Sequence, residues 1–305
     1  MAARRGASET GAVTAPKILV TGATGNCGGA TLRALVRGGV RARAMTREPG
    51  RAQALAAMPG VEVVAGDFDD PAALGRALAG IEAVLLLPPH APAMEAWQGN
   101  LIAAARRAGA RHVVHVSGIC ADPSEPSISL GGHGRGEREL EASGLAWTHL
   151  RPNSFFQNTL FDAASIAAEG RFYGCVADVR FAKIDTRDVG EVAAVCLTQS
   201  GHEGETYELS GPEALTYAEL ARTLSRVLGR PIEYVDMPSR TYVDSLRRAG
   251  LPEWLAEEFF LIYGQGPLFA GGAARPSDVV ERLTGRPART YEQWAREHAA
   301  AFAPA

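Results

Sequence analysis

Residues 21–28 read Thr-Gly-Ala-Thr-Gly-Asn-Cys-Gly and place Gly22, Gly25 and Gly28 between an apolar run and a helix-forming stretch. Glycines at this spacing let the chain turn tightly and bring backbone N–H groups against an anion, while the helix that follows adds unpaired donors and a favourable dipole. A pyrophosphate suits that chemistry. Gly22, Thr24, Gly25, Asn26, Cys27 and Gly28 are therefore candidate contacts to a dinucleotide. The spacing is G-x-x-G-x-x-G rather than G-x-G-x-x-G, so context carries the argument: the turn follows the first strand, opens the first helix and heads several strand–helix repeats.

A site for NAD generally ends its second strand in Asp or Glu, which accepts hydrogen bonds from the ribose. Here residues 41–47 are Arg-Ala-Arg-Ala-Met-Thr-Arg, with no carboxylate before Glu48. A guanidinium at Arg47 can pair with a 2′-phosphate and Thr46 can add a hydroxyl, so NADP(H) is the expected cofactor; a solvated surface arginine is the alternative. Asp67 is placed to accept from the adenine amino group, with Phe68 beside it. Leu87 and Pro88 are expected to flank the nicotinamide half, with Pro89 and His90 on the substrate side.

Many short-chain reductases protonate a carbonyl through Tyr-x-x-x-Lys. This chain has two lysines, Lys17 and Lys183, and the residues four before them are Val13 and Val179, so the motif is absent along the sequence. His133 could donate a proton near neutral pH or hold the nicotinamide ribose, with Glu137 one helical turn later to orient it. Packing at a helix start beside Gly131 and Gly132 is the alternative. Ser117 and Gly118 end a strand where substrate would approach, and Ser117 could hold substrate or the nicotinamide amide. Ser117 and His133 are thus the catalytic candidates, and both also stand among the cofactor contacts. His115 is expected on the opposite face. Pro152 and Asn153 complete the cofactor set, and Phe156 is a candidate pocket wall. Cys27, Cys120, Cys175 and Cys196 lack metal-ligand spacing, so no metal site is expected.

Positioning these groups requires strands, expected over 18–20, 41–45, 61–64, 83–87, 112–116 and 147–150, with helices between them, the pattern of successive βα units. Asp70-Pro71 predicts an N-cap followed by proline at the first helical position. Residues 185–197 read as a helix and 206–209 as a strand returning to the sheet. The fold class is α/β: a Rossmann-type doubly wound parallel sheet over 16–152, with 181–210 returning to it. A smaller, mainly helical C-terminal subdomain, 153–180 and 211–305, covers the substrate side. Trp254, Phe259, Phe260, Tyr263 and Phe269 either line a ligand pocket there or fill a second core, between glycine and proline breaks at 264–267 and 271–276.

Residues 21–28, Thr46-Arg47, Gly66-Asp67-Phe68, His133-x-x-x-Glu137, Leu150-Arg151-Pro152-Asn153 and Asp185-Thr-Arg-Asp188-Val together resemble the NmrA-like branch of the atypical short-chain dehydrogenase/reductases, over residues 17–302. The resemblance implies NADPH held by the glycine turn and by Arg47, with substrate between the nicotinamide and the C-terminal part. Counted back from Leu150-Arg151-Pro152, the lysine slot of the wider superfamily falls on His133 and the tyrosine slot on Ser129. No single reaction is implied, since some members reduce substrates and others bind the dinucleotide without turnover.

The 305 residues are 46% hydrophobic and 21% charged, enough for one large domain with a smaller appendage. With 31 basic against 34 acidic residues, a net charge of −3, no global attraction to nucleic acid or anionic membrane is expected. The apolar run at 83–87 is far below the roughly 20 residues needed to cross a bilayer. Residues 1–15, with Arg4 and Arg5 but no apolar core, are expected to form a disordered tail, and the protein to be cytoplasmic with reduced cysteines. The scarcity of lysine suggests a GC-rich bacterial source. The expected partner is a small-molecule substrate, and a homodimer stays open.

Three functions remain. The first is an NADPH-dependent oxidoreductase acting on a small apolar or aromatic acceptor such as a quinone, enone or iminium ion, where delocalised or cancelled charge makes the missing dyad less important. The second is an NADP(H)-sensing regulator without turnover. The third is a biosynthetic enzyme using the dinucleotide internally for epimerisation or rearrangement.

Overall fold

The computed structural model describes residues 15–264 and 272–304. The expected tail up to residue 14, Phe269, residues 265–267 of the first predicted break and residue 271 of the second lie outside them. The strands are β1 (Ile18–Val20), β2 (Ala42–Thr46), β3 (Val61–Ala65), β4 (Ala83–Leu86), β5 (His112–Val116), β6 (Ala146–Pro152), β7 (Arg171–Gly174), β8 (Glu205–Leu209) and β9 (Glu233–Asp236). The helices are α1 (Asn26–Arg37), α2 (Gln53–Ala56), α3 (Pro71–Leu78), α4 (Met94–Ala108), α5 (His133–Ala142), α6 (Ala163–Glu169), α7 (Thr186–Thr198), α8 (Tyr217–Leu228), α9 (Ser239–Arg248), α10 (Glu253–Phe259), α11 (Val279–Thr284) and α12 (Tyr291–Glu297).

Seven strands form one parallel sheet in the order β3-β2-β1-β4-β5-β6-β8. Ile18 of β1 stands opposite Ala42 of β2 on one side and Ala83 of β4 on the other. The chain order therefore reverses at the β1/β4 boundary, where a doubly wound sheet opens a crevice at the carboxyl ends of its strands. A sheet covered on both faces favours continuous apolar strands, and every residue of β1 and β4 is buried. One face packs Val20, Leu85 and Val114 against Leu32 and Leu35 of α1 and Val189 and Val192 of α7. The other packs Leu19, Leu86 and Val113 against Leu74 of α3, Leu101 of α4 and Leu140 of α5.

Asp70 caps α3 through Ala72 and Ala73 N–H, with Pro71 at the first helical position, as the sequence predicts. Asp185 is the N-cap of α7 rather than its first helical residue. Strand β6 runs two residues past the expected end, to Pro152, because β8 pairs with it up to Leu209. The C-terminal part is not wholly helical: β7 and β9 pair in parallel as a small second sheet. Its core is built by Phe156, Phe172, Leu224, Tyr291, Trp294 and Phe302. Trp254, Phe259, Phe260 and Tyr263 remain half-buried. Helix α11 returns to the large sheet, with Val279 and Val280 in the same core as α1 and α7. Among the described residues, no helix is long and apolar enough to cross a membrane.

Candidate dinucleotide and substrate site

The glycine turn sits at the β1/β4 crevice. Gly22 has φ +60°, the left-handed region that favours glycine, and Gly25 N–H donates to Gly22 C=O at 3.0 Å. Gly29 N–H donates to Gly25 C=O at 2.9 Å, so the N–H groups of Asn26, Cys27 and Gly28 open α1 without an intrahelical partner. No side chain caps this end and no acidic residue occupies its first turn. A Cβ on Gly28 would lie 2.2 Å from Gly22 O, so the turn closes only with glycine there. Thr24, Gly25 and Asn26 are exposed. These features fit a bound pyrophosphate.

The Cys27 side chain stands apart from the turn. The thiol is packed in the core beneath α1 and is pushed up to about 12 by burial, with Asp185 adding to it, so only its backbone can serve the turn. Thr21 Oγ1 donates to Leu85 O and accepts from Leu87 N–H, both at 2.8 Å. That pair of bonds fixes the Leu87–Pro88 turn beside Gly22.

Thr46 closes β2 and Arg47 is exposed beyond it. Glu48 pairs with Arg51 at 3.1 Å, and among the described residues Arg47 makes no ion pair. Arg43, the other arginine of β2, is committed to Ala77 O at 2.8 Å and to Glu62 at 3.2 Å. Asp67 is half-exposed after β3, its Oδ1 accepting from Asp69 N–H at 3.1 Å. The ring of Phe68 turns inward instead, 6.1 Å from Trp97, because the apolar layer under α4 takes it; its carbonyl accepts from Asn100.

Ser117 and Gly118 follow β5 at the same edge. A Cβ on Gly118 would stand 3.5 Å from His133 Cδ2, so the imidazole lies across this strand end. Helix α5 reaches that position through glycine: a Cβ on Gly136 would sit 1.5 Å from Gln98 Oε1 on α4. Burial, with His90 adding and Glu137 opposing, pushes His133 down to about 4. The ring is therefore neutral near pH 7, and the expected donor near neutral pH is a neutral N–H, not an imidazolium.

Four expectations fail on side-chain direction. Glu137 does not orient His133: Arg151 Nε donates to its Oε1 at 2.9 Å and Nη2 binds Oε2, because the guanidinium fork matches a carboxylate at both oxygens. Against its burial, those hydrogen bonds hold the Glu137 carboxyl below its usual range. His115 shares the face of Ser117, as the two-residue period of a strand requires, and its ring lies 5.6 Å from His133. Asn153 is a tie between elements: its Nδ2 donates to Ala273 O, and its Oδ1 accepts from Ser154 N–H, both at 2.8 Å. Phe156 belongs to the core of the C-terminal part, edge-on to Tyr291 at 5.3 Å, where aromatic packing outweighs exposure to a pocket. Pro152 is buried at the end of β6.

Pro88 is buried, while Pro89 and His90 are exposed, with the His90 ring 5.6 Å from Trp254 of α10. The buried Glu258 of the same helix accepts from Ile128 N–H at 2.9 Å and Ser129 N–H at 2.7 Å, joining the C-terminal part to the segment before His133. The sequence reading also passed over Lys183. Its buried Nζ donates to Ser154 Oγ at 3.0 Å and lies 5.2 Å from the Tyr217 ring centroid; burial, opposed by Asp162, lowers it to about 8. Its signal was a lone lysine inside the apolar run Phe181-Ala-Lys-Ile184.

A parallel sheet that reverses at β1/β4, with a glycine turn and free helix N–H groups at that point, defines a dinucleotide-binding Rossmann protein. A family model described as NAD(P)H-binding matches residues 22–200, and the chain belongs to that family. Its curated relatives include an NAD(P)H azoreductase of Xenophilus azovorans, 37% identical over 94% of this chain and 100% of the relative. Another is a (4-alkanoyl-5-oxo-2,5-dihydrofuran-3-yl)methyl phosphate reductase of Streptomyces griseus, 39% identical over 94% of this chain and 99% of the relative. Among solved structures, an NADPH-dependent quinone oxidoreductase of Escherichia coli in complex with NADPH aligns with a TM-score of 0.83 at 31% identity, covering 93% of this chain and 99% of that one.

Proposed function

We propose that the chain is an NADPH-dependent oxidoreductase that reduces a small, apolar, conjugated acceptor: a quinone, enone, iminium ion or azo compound. The observation that carries this reading is the exposed Arg47, without an ion pair among the described residues, on the same sheet edge as the free N–H groups of α1, where a 2′-phosphate and a pyrophosphate can be held together. The names of the relatives support reduction over mere sensing. Bound NADPH supplies the hydride.

The protein's own part is position and a proton. Gly22, Thr24, Gly25, Asn26 and Gly28 seat the pyrophosphate; Thr46 and Arg47 read the phosphate; Asp67 takes the adenine. The Leu87–Pro88 turn backs the nicotinamide, and Pro89 with His90 bounds the acceptor. Ser117 and His133, on either side of Gly118, face it as hydrogen-bond donors. No Tyr-x-x-x-Lys is needed for acceptors whose product charge is spread over a conjugated system. NADPH consumption against a panel of quinones, enones and azo dyes tests the reading. Turnover of at least one of these classes is expected, and tight binding with no consumption across the panel overturns it.

A further inference from the structure

Buried polar atoms without hydrogen-bond partners gather behind the substrate edge of β5. Among the described residues, both ring nitrogens of His115, both of His149, Nδ1 of His133 and Oγ of Ser117 have no partner. The side chains of His115 and His149 are fully enclosed. Leaving such atoms unpaired inside the protein is costly, so a run of them calls for bridging water or a chemical use.

The rings form a line. His115 lies 5.6 Å from His133 and 5.6 Å from His149, edge-on to the latter. Each separation is within reach of one hydrogen bond after a ring turns, or of one bridging water. His149 Nε2 stands 3.6 Å from Glu141 Oε1, and Trp147 stacks on its other side at 4.4 Å. Glu141 lines a cleft of about 290 Å³ shared with Asp122, Glu137, Arg138 and Arg151.

We propose that His149, His115 and His133 form a proton relay from the Glu141 cleft to the substrate edge of β5. The inference rests on the reductase reading above. Reduction of a quinone carbonyl takes a hydride, which brings both electrons, and one proton from solvent. As the acceptor oxygen forms its O–H bond, an N–H bond of His133 breaks. His133 is reprotonated from His115, His115 from His149, and His149 through Glu141, whose carboxylate passes on a proton from water in the cleft. A neutral imidazole does this by taking a proton at one nitrogen and releasing it from the other.

The charged and titratable surroundings keep the rings in the required form. His133 faces His90 and Glu137; His115 faces His133, His149 and Arg151; His149 faces Glu137, Glu141 and Arg151. Burial is the largest influence on all three and holds each below its ordinary range, so all are neutral near pH 7.

Two measurements test the relay. A high-resolution crystal structure of the unliganded protein should show nitrogen contacts or ordered water within ~3.5 Å of one another along the three rings; a dry break in the line overturns the relay. In single-turnover reduction of a quinone, folded His115→Leu should be slower by about tenfold, with a larger solvent isotope effect and an unchanged NADPH dissociation constant. His149→Gln provides the same comparison at the outer end. Wild-type rate and isotope effect in both variants overturn the relay and leave the reductase reading standing. A wild-type chain that reduces no acceptor removes both.

Discussion

Arg47 shows what single residues disclose and what they hide. Its position after the second strand and the missing carboxylate were readable from residues 41–47 alone, and it stands exposed and, among the described residues, without an ion pair while Arg43 is tied to Glu62. Arg47→Ala should weaken NADPH by about 2 kcal/mol, the size of a charge-assisted pair, and leave NADH nearly unaffected. Parallel fluorescence titrations with the two dinucleotides check this, and equal losses would show that Arg47 does not read the phosphate. Other residues were misread because residue type does not give side-chain direction. Glu137 is one turn from His133 in sequence, but Arg151, brought in by the neighbouring strand, binds it at both oxygens. Phe68, Asn153 and Phe156 stand at suitable places on the chain, yet their side chains serve cores and ties.

At the scale of elements, the turn into α1 was legible because each local preference agrees: an apolar strand, glycines where Cβ atoms would collide, and a helix start bare of caps. Gly25→Asp probes that arrangement. A carboxylate at the N-cap can bond the free N–H groups and support α1, but it places an anion where the pyrophosphate would lie. The variant should unfold at or above the wild-type temperature and lose dinucleotide binding; calorimetric titration alongside thermal melting separates the two effects. Retained affinity in a folded variant would remove the turn from the site. Strand β9 was not legible, since Glu233-Tyr-Val-Asp236 has a single partner, β7, sixty residues earlier in the chain, and no alternation long enough to reveal it. The end of β6 was missed for a similar reason: its last residues are strand only because β8 pairs with them.

For the whole molecule, burial of imidazoles sets the response to acid. His112, His115, His133 and His149 are all held below the ordinary histidine value, first of all by burial. The unfolded chain takes up protons as pH falls through 6.5 while the folded chain does not, so stability is lost below that value, for His133 down to about 4. That group alone accounts for roughly 3 kcal/mol across the window. Asp162, raised to about 6 by burial against the pull of Lys183, works in the opposite direction, as do Asp188 and Glu139, whose carboxyls burial also raises, but the buried imidazoles outnumber them. Melting temperature should therefore fall on going from neutral pH to about pH 5, and less so in His115→Leu; a flat profile would mean that the imidazoles are hydrated in the folded state. The seven-stranded sheet, covered by helices on both faces and reversing at β1/β4, places the glycine turn, Ser117 and His133 on one edge. Direct reduction at that edge is most sharply tested with NADPH deuterated at the transferable position and an active quinone or enone: the account predicts one deuterium in a carbon-reduced enone product, or a primary isotope effect on quinone reduction. Tight NADPH binding with neither signal would contradict it.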